Sequence, residues 1–149
     1  MALSEQIQSD MTAAMKSKDQ LRLSTLRMVK SALQYAKVSK RGELTEEDVL
    51  GVLAKEAKQR HESAEEFRKG GRPELAEKEE AELRIIQEYL PQQLDEAELR
   101  QLVQQGIDAT GATDARELGK VMGWLSPRIK GRADGRLASQ LVREALGEQ

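Results

Sequence analysis

The chain has 149 residues, with 24 Lys and Arg against 26 Asp and Glu, no cysteine, three prolines and only 3% aromatic residues. The lack of thiols excludes cysteine catalysis, thiolate metal centres and a disulfide framework, and it fits a reducing compartment. No apolar run approaches the roughly 20 residues that cross a bilayer, and MALSEQIQSDM shows neither a charged leader nor an apolar h-region, so a cytoplasmic address is expected.

A charged fraction of 34% beside 38% hydrophobic residues favours amphipathic helices over sheets. The formal net charge of −2 conceals segments of opposite sign. Lys16 to Arg41 holds eight basic residues against Asp19 alone, Glu43 to Glu88 holds fourteen acidic against eight basic, and Arg116 to Arg143 holds seven basic against two acidic.

Leu3, Ile7, Met11 and Met15 repeat at helical spacing and predict a first helix that starts after Ser4 and ends near Ser17 to Asp19. A second helix is expected from about Asp19 to Lys40, with Leu26, Val29, Leu33 and Ala36 sharing a face that should be buried. Arg27, Lys30, Gln34, Lys37 and Arg41 keep the same spacing about a quarter turn away, so a basic stripe borders the apolar one. Thr45 with Asp48 has the form of a capping box, and Leu44 with Val49 that of a hydrophobic staple. The third helix should run through Leu53, Ala57, Ala64 and Phe67 to about Lys69, where Gly70 and Gly71 end it. Pro73 suits the first turn of a fourth helix carrying Leu75, Leu83, Ile86 and Leu90, which Pro91 stops.

Asp95 with Glu98 is a second capping box and Leu94 with Leu99 a second staple, so a new unit begins there. Its three helices carry Leu99, Leu102, Val103 and Ile107; then Leu118, Val121, Met122 and Leu125, with Pro127 near the end; then Leu137, Leu141, Val142 and Ala145 after Asp134. The expected fold is all-α, with a helical N-terminal domain of about four helices over residues 1–93 and a small three-helix domain over 94–149.

His61 is the lone histidine, without the spacing of a metal site or a partner for a nucleophilic triad. Neither a P-loop nor GxGxxG is present, and no metal or other cofactor is expected. Glu77, Glu79, Glu80, Glu82 and Glu88 read as a solvated helix face laced to Lys78 and Arg84. The basic residues carry the remaining signal. The α-helical stripe of Arg27, Lys30, Lys37 and Arg41, and then Lys55, Lys58 and Arg60, suit phosphate contacts, yet the same spacing suits stems that cover a core edge. KGRADG, Lys130 to Gly135, places Lys130, Arg132 and Arg136 around a helix start whose free amides would hold a phosphate, or else forms a plain turn and N-cap. Trp124, Tyr35, Phe67 and Tyr89 could stack on bases, yet each falls at or near an apolar position and is expected in the core.

Taken together and in order, LRMVKSAL, KEAKQRHES, GRPEL, EYLPQQL, GKVM and KGRADG make the whole chain resemble the YqeY-like family, related to the tail domain of the B subunit of glutamyl-tRNA(Gln) amidotransferase. The resemblance implies a helical domain followed by a small three-helix domain, and a connection to tRNA in which the tail docks while amide transfer takes place elsewhere. It makes Lys55, Lys58, Arg60, Lys130, Arg132 and Arg136 candidate contacts, joined to Arg27, Lys30 and Lys37 from the stripe. The leading expectation is an accessory protein that binds tRNA, another structured RNA or a tRNA-handling complex without catalysis of its own. A carbon–nitrogen ligase using glutamine as amide donor and a helical protein–protein module are the alternatives.

Overall fold

Helix α1 spans Leu3–Ser17 and α2 spans Gln20–Lys40 in the computed structural model, which describes residues 2–147. Lys18 turns left-handed between them at φ 61°, and the Asp19 carboxylate caps α2 by accepting from the Arg22 amide at 3.1 Å. In α1 the buried row is Ile7, Met11 and Ala14, while Met15 is 53% exposed. Each four-residue step advances about 40° past a full turn, so the expected row has rotated off the core by Met15. Helix α2 buries Leu26, Val29 and Leu33 as expected, together with Leu23 and Thr25. The Thr25 hydroxyl donates to the Leu21 carbonyl at 2.8 Å, which satisfies it inside its own helix.

Helix α3, Glu46–Lys69, starts in a closed capping box: the Asp48 amide donates to Thr45 Oγ1 at 3.0 Å and the Thr45 amide to Asp48 Oδ2 at 2.9 Å. Lys40 Nζ also reaches Asp48 Oδ2, at 2.6 Å. The helix stops at Gly70 and Gly71, where φ of 73° at Gly71 lets the Arg72 amide return to the Phe67 carbonyl at 2.7 Å. Pro73 then opens α4, Pro73–Gln87. The α3–α4 hairpin is the most extensive pairing in the chain, and α2 packs on both of its arms as well as on α1.

A second unit contains α5, Glu96–Thr110, a short 3-10 turn at Ala115–Glu117, α6, Leu118–Ile129, and α7, Gly135–Ala145. The Asp95–Glu98 capping box closes at 2.7 and 3.2 Å, and Leu99, Val103, Val121, Leu125, Leu141 and Val142 fill the core. Gly106 lets α5 sit against α6: a Cβ there would lie 2.8 Å from the Trp124 ring. The units divide as Met1–Leu90 and Pro91–Gln149, three residues before the expected boundary. The cause is local: Gln93 Nε2 donates to the Gly131 carbonyl at 2.6 Å and the Leu94 amide to the Arg132 carbonyl at 2.9 Å, so this stretch belongs to the second unit. Among the described residues every regular element is helical, and no helix is long and apolar enough to cross a membrane.

Two stability predictions follow from these ends. Lys18→Gly should stabilise the chain by about 1 kcal/mol, since glycine adopts the left-handed conformation without the Cβ clash; an unchanged or lower thermal midpoint would contradict this. The Lys40 ammonium, and after it the Thr45 amide, hold the Asp48 carboxyl down to about 2. A depressed carboxyl stabilises the fold above its unfolded pKa of about 4 and loses that contribution as pH falls towards 2. Asp48→Asn should therefore flatten the midpoint-against-pH curve between those limits, which a titration of melting curves measures.

Candidate nucleic-acid interface

Because α2 turns Leu26, Val29 and Leu33 inward, the stripe a quarter turn away emerges into solvent: Arg27, Lys30, Gln34, Lys37 and Arg41 are all exposed. Lys37 Nζ lies 3.0 Å from Glu43 Oε1. Among the described residues Arg27, Lys30 and Arg41 have no acidic side chain at ion-pair distance. Lys30, Gln34 and Lys37 also edge a groove of about 210 Å³ floored by Ile7, Leu33 and Leu44. Tyr35 departs from its expected core position and stands 77% exposed. Its place on α2 is seven residues after Met28, on the face opposite Leu26 and Leu33.

The candidates on α3 divide. Lys55 is exposed and Lys58 half-buried, on a face where Glu62, Glu65 and Glu66 follow within two or three turns. Arg60 corrects the expectation of a surface contact, being only 8% exposed. Its guanidinium lies 3.3 Å from Glu56 Oε1 and 3.6 Å from Glu82 Oε2, and donates to the Glu56 carbonyl at 3.4 Å and to Met28 Sδ at 3.5 Å. Its Nε is buried without a hydrogen bond. The reason is helical phase: Arg60 continues the buried row Val49, Leu53, Ala57 and Ala64. Glu82 likewise leaves the expected solvated face and is 5% exposed. Burial, with Glu79 adding to it, raises its carboxyl above the usual range, while Arg60 opposes that shift.

KGRADG also changes meaning. The amides of Lys130, Arg132 and Ala133 donate to the carbonyls of Ser126, Ile129 and Ile129, at 3.1, 2.8 and 3.0 Å, and the Arg136 amide donates to Asp134 Oδ1 at 3.0 Å. Arg132 reaches the Gln92 carbonyl through Nε at 3.1 Å. The loop is thus a turn and N-cap that grips the PQQL stretch, with these amides engaged rather than held open for a phosphate, while Lys130 and Arg136 remain exposed. The half-buried Trp124 ring carries the Arg128 guanidinium 3.8 Å from its centroid and packs on Gly106, so it is engaged within its own unit.

No chemistry-bearing cluster emerges among the described residues. His61 pairs with Glu65 at 3.0 Å on an exposed part of α3, and no group of three or more His, Cys, Asp or Glu converges to hold a metal. Tyr89 donates to Asp10 Oδ2 at 2.5 Å beside the bidentate Arg22–Glu88 pair at 2.5 and 3.3 Å. That satisfied network braces α1, α2 and the end of α4.

Removing one member of the buried pair should be costly, because it strands the other charge. Arg60→Ala is expected to destabilise the first unit by about 3 kcal/mol, and Arg60→Leu with Glu82→Leu by much less. Denaturant unfolding of single and double variants measures the difference; equal losses would show that the pair is not coupled.

Comparison with known proteins agrees on kinship. A model of the Yqey-like protein family matches residues 4–146. The protein named "Altered inheritance of mitochondria protein 41, mitochondrial" of Pyrenophora tritici-repentis is 31% identical over 95% of this chain and 79% of its own length. Its namesake in Clavispora lusitaniae is 33% identical over 76% of this chain and 68% of its own, and that in Lachancea thermotolerans 38% over 58% and 46%. These names carry no enzyme activity, and they overturn the expected cytoplasmic address, since the relatives are named as mitochondrial. The thiol and hydropathy arguments report redox chemistry and membrane crossing, and neither distinguishes one aqueous compartment from another. With a family match running from Ser4 to Leu146 on an all-helical fold, the chain belongs to the YqeY-like family.

Proposed function

We propose that the chain is an accessory protein that docks on structured RNA, with tRNA as the class the family resemblance points to, through the basic stripe of α2. The observation that supports this reading is the presence of Arg27 and Lys30 on one exposed face of α2 and of Arg41 at its left-handed C-cap, with no acidic partner at ion-pair distance among the described residues. Phosphate oxygens recognise such a row as separate cationic contacts, and the release of counterions drives binding. Gln34 adds an amide able to donate to phosphate or sugar. Arg60 and Arg132 act in this reading as scaffold, and Lys55 and Lys58 lie in a more acidic field. The glutamine-dependent ligase alternative asks for a nucleophile beside a base, and no side chain described above supplies that pair.

Three phosphate contacts imply a fall in affinity of roughly 20- to 40-fold between 50 and 200 mM salt. Replacing Arg27 and Lys30 by alanine should lower the salt slope by about 0.7–0.9 per residue, with little effect on the fold of the exposed surface. Fluorescence anisotropy with unfractionated tRNA measures both. Absence of saturable binding at the lowest salt, or a slope unchanged in the double variant, would remove α2 from the reading.

A further inference from the structure

Four of the exposed large apolar side chains lie on one helix: Leu21, Met28 and Tyr35 at seven-residue intervals, and Val38 three residues after Tyr35. Tyr35 and Val38 are 77% and 75% exposed. Seven residues advance an α-helix by about 20° less than two turns, so these residues line up along α2 on the side away from Leu26, Val29 and Leu33, with Tyr35 and Val38 open to solvent and Leu21 and Met28 at the ridge's inner edge, where Met28 Sδ accepts from the buried Arg60. Ser24 and Ser31 fill the places between them, giving the sequence 21, 24, 28, 31, 35, 38 with alternating steps of three and four. That is the spacing by which one helix lies along another, with small residues leaving holes for the partner's knobs. The Ser24 hydroxyl donates to the Leu21 carbonyl at 3.1 Å, so it asks nothing of a ligand. A run of apolar side chains on an otherwise polar helix surface marks an interaction face.

The borders of the ridge decide its occupant. On one side Thr25 is buried and Ala32 half-buried, turned into the protein's own packing. On the other side Arg27 and Gln34 run parallel to the ridge, each one residue from it, and Arg41 follows as the exposed left-handed C-cap of the helix. A second copy laid antiparallel would set this cationic row against itself, and one laid parallel would set Arg27 and Gln34 against Ala32 and Ser39. Neither arrangement offers an acid. A helix with glutamate or aspartate along its border neutralises the row while burying the apolar side chains. We propose that the Leu21–Met28–Tyr35–Val38 ridge docks an acidic amphipathic helix of a partner protein, with its carboxylates against Arg27 and Arg41.

This goes beyond the RNA reading, because the basic stripe as a whole points about a third of a turn from the ridge; Arg27 borders both faces, whereas Tyr35 and Val38 belong to the ridge alone and Lys30 to the stripe alone. The full chain is titrated into a labelled peptide of about three heptads, with leucine at the first and fourth places of each heptad and glutamate at the borders, and into its lysine-bordered counterpart. The glutamate peptide should bind at least about tenfold tighter. Tyr35→Gln with Val38→Gln should weaken it by a similar factor while the circular dichroism and thermal midpoint stay as in the parent, both positions being open to solvent. Arg27→Glu with Gln34→Glu should reverse the preference towards the lysine peptide. Equal binding of the two peptides, or a preference that charge reversal leaves intact, overturns the proposal. So does a concentration-dependent dimer that the Tyr35 and Val38 changes dissociate, which gives the ridge to a second copy. A single-stranded RNA oligonucleotide whose binding is lost with Tyr35→Gln alone also overturns it, by giving the ridge to base stacking.

Discussion

Helix α2 is held by three neighbours at once, and this constraint divides the rest of its circumference. Packing against α1, α3 and α4 fixes which third of the helix is buried, through Leu26, Val29 and Leu33. The remaining surface then falls into two strips by helical geometry alone, one cationic and one apolar. Rotating α2 by one residue, about 100°, would drive the basic stripe into the first unit's core, where unpaired charges are far more costly than any phosphate contact is favourable. The same core that stabilises this unit therefore sets the direction in which the basic stripe and the ridge point.

Charge in the first unit is sorted by whether it can be matched. Arg60 and Glu82 are buried and face one another, with Glu56 as a second acid, so the interior tolerates them. Lys37, Lys40 and Arg68 meet Glu43, Asp48 and Glu80 near the surface, where such contacts contribute little. Among the described residues Arg27, Lys30 and Arg41 have no acid at ion-pair distance. An exposed cation pays no desolvation cost and so needs no partner for stability, which is why this row is free to be selected for binding.

Local signals were the legible part of the sequence. The Thr45–Asp48 and Asp95–Glu98 capping boxes, the Gly70–Gly71 stop and the Pro73 start each depend on a few adjacent residues, and all form as read. What escaped was phase accumulated over distance and partners supplied by other helices. Met15 drifted off its row because four-residue steps overshoot the turn. Arg60 and Glu82 lie on buried rows whose apolar members were visible, but only the meeting of α3 and α4 shows that each charge answers the other. Tyr35 is expected in the core from its nearness to apolar positions, although its seven-residue relation to Leu21 and Met28 already sets it on the outer face. Of the candidate contacts, the α2 row could be found by periodicity alone, whereas the fate of Arg132 required knowing that a stretch forty residues earlier returns to it.

That return also changes what the recurring motifs mean. EYLPQQL and KGRADG are far apart in sequence, yet Gln92, Gln93 and Leu94 are bound to Gly131 and Arg132 through three hydrogen bonds. Gly131 sits buried at φ 75°, a conformation that a side chain would strain, so the glycine answers a turn and not a ligand. For Lys130, Arg132 and Ala133 to turn their amides to a phosphate, the bonds to Ser126 and Ile129 that close the end of α6 would have to be broken first. A motif whose polar groups are already satisfied by another motif explains architecture. The α2 surface is different in kind: Arg27, Lys30, Tyr35 and Val38 are exposed and contribute little to the folded chain, so the proposed binding would not compete with folding for them.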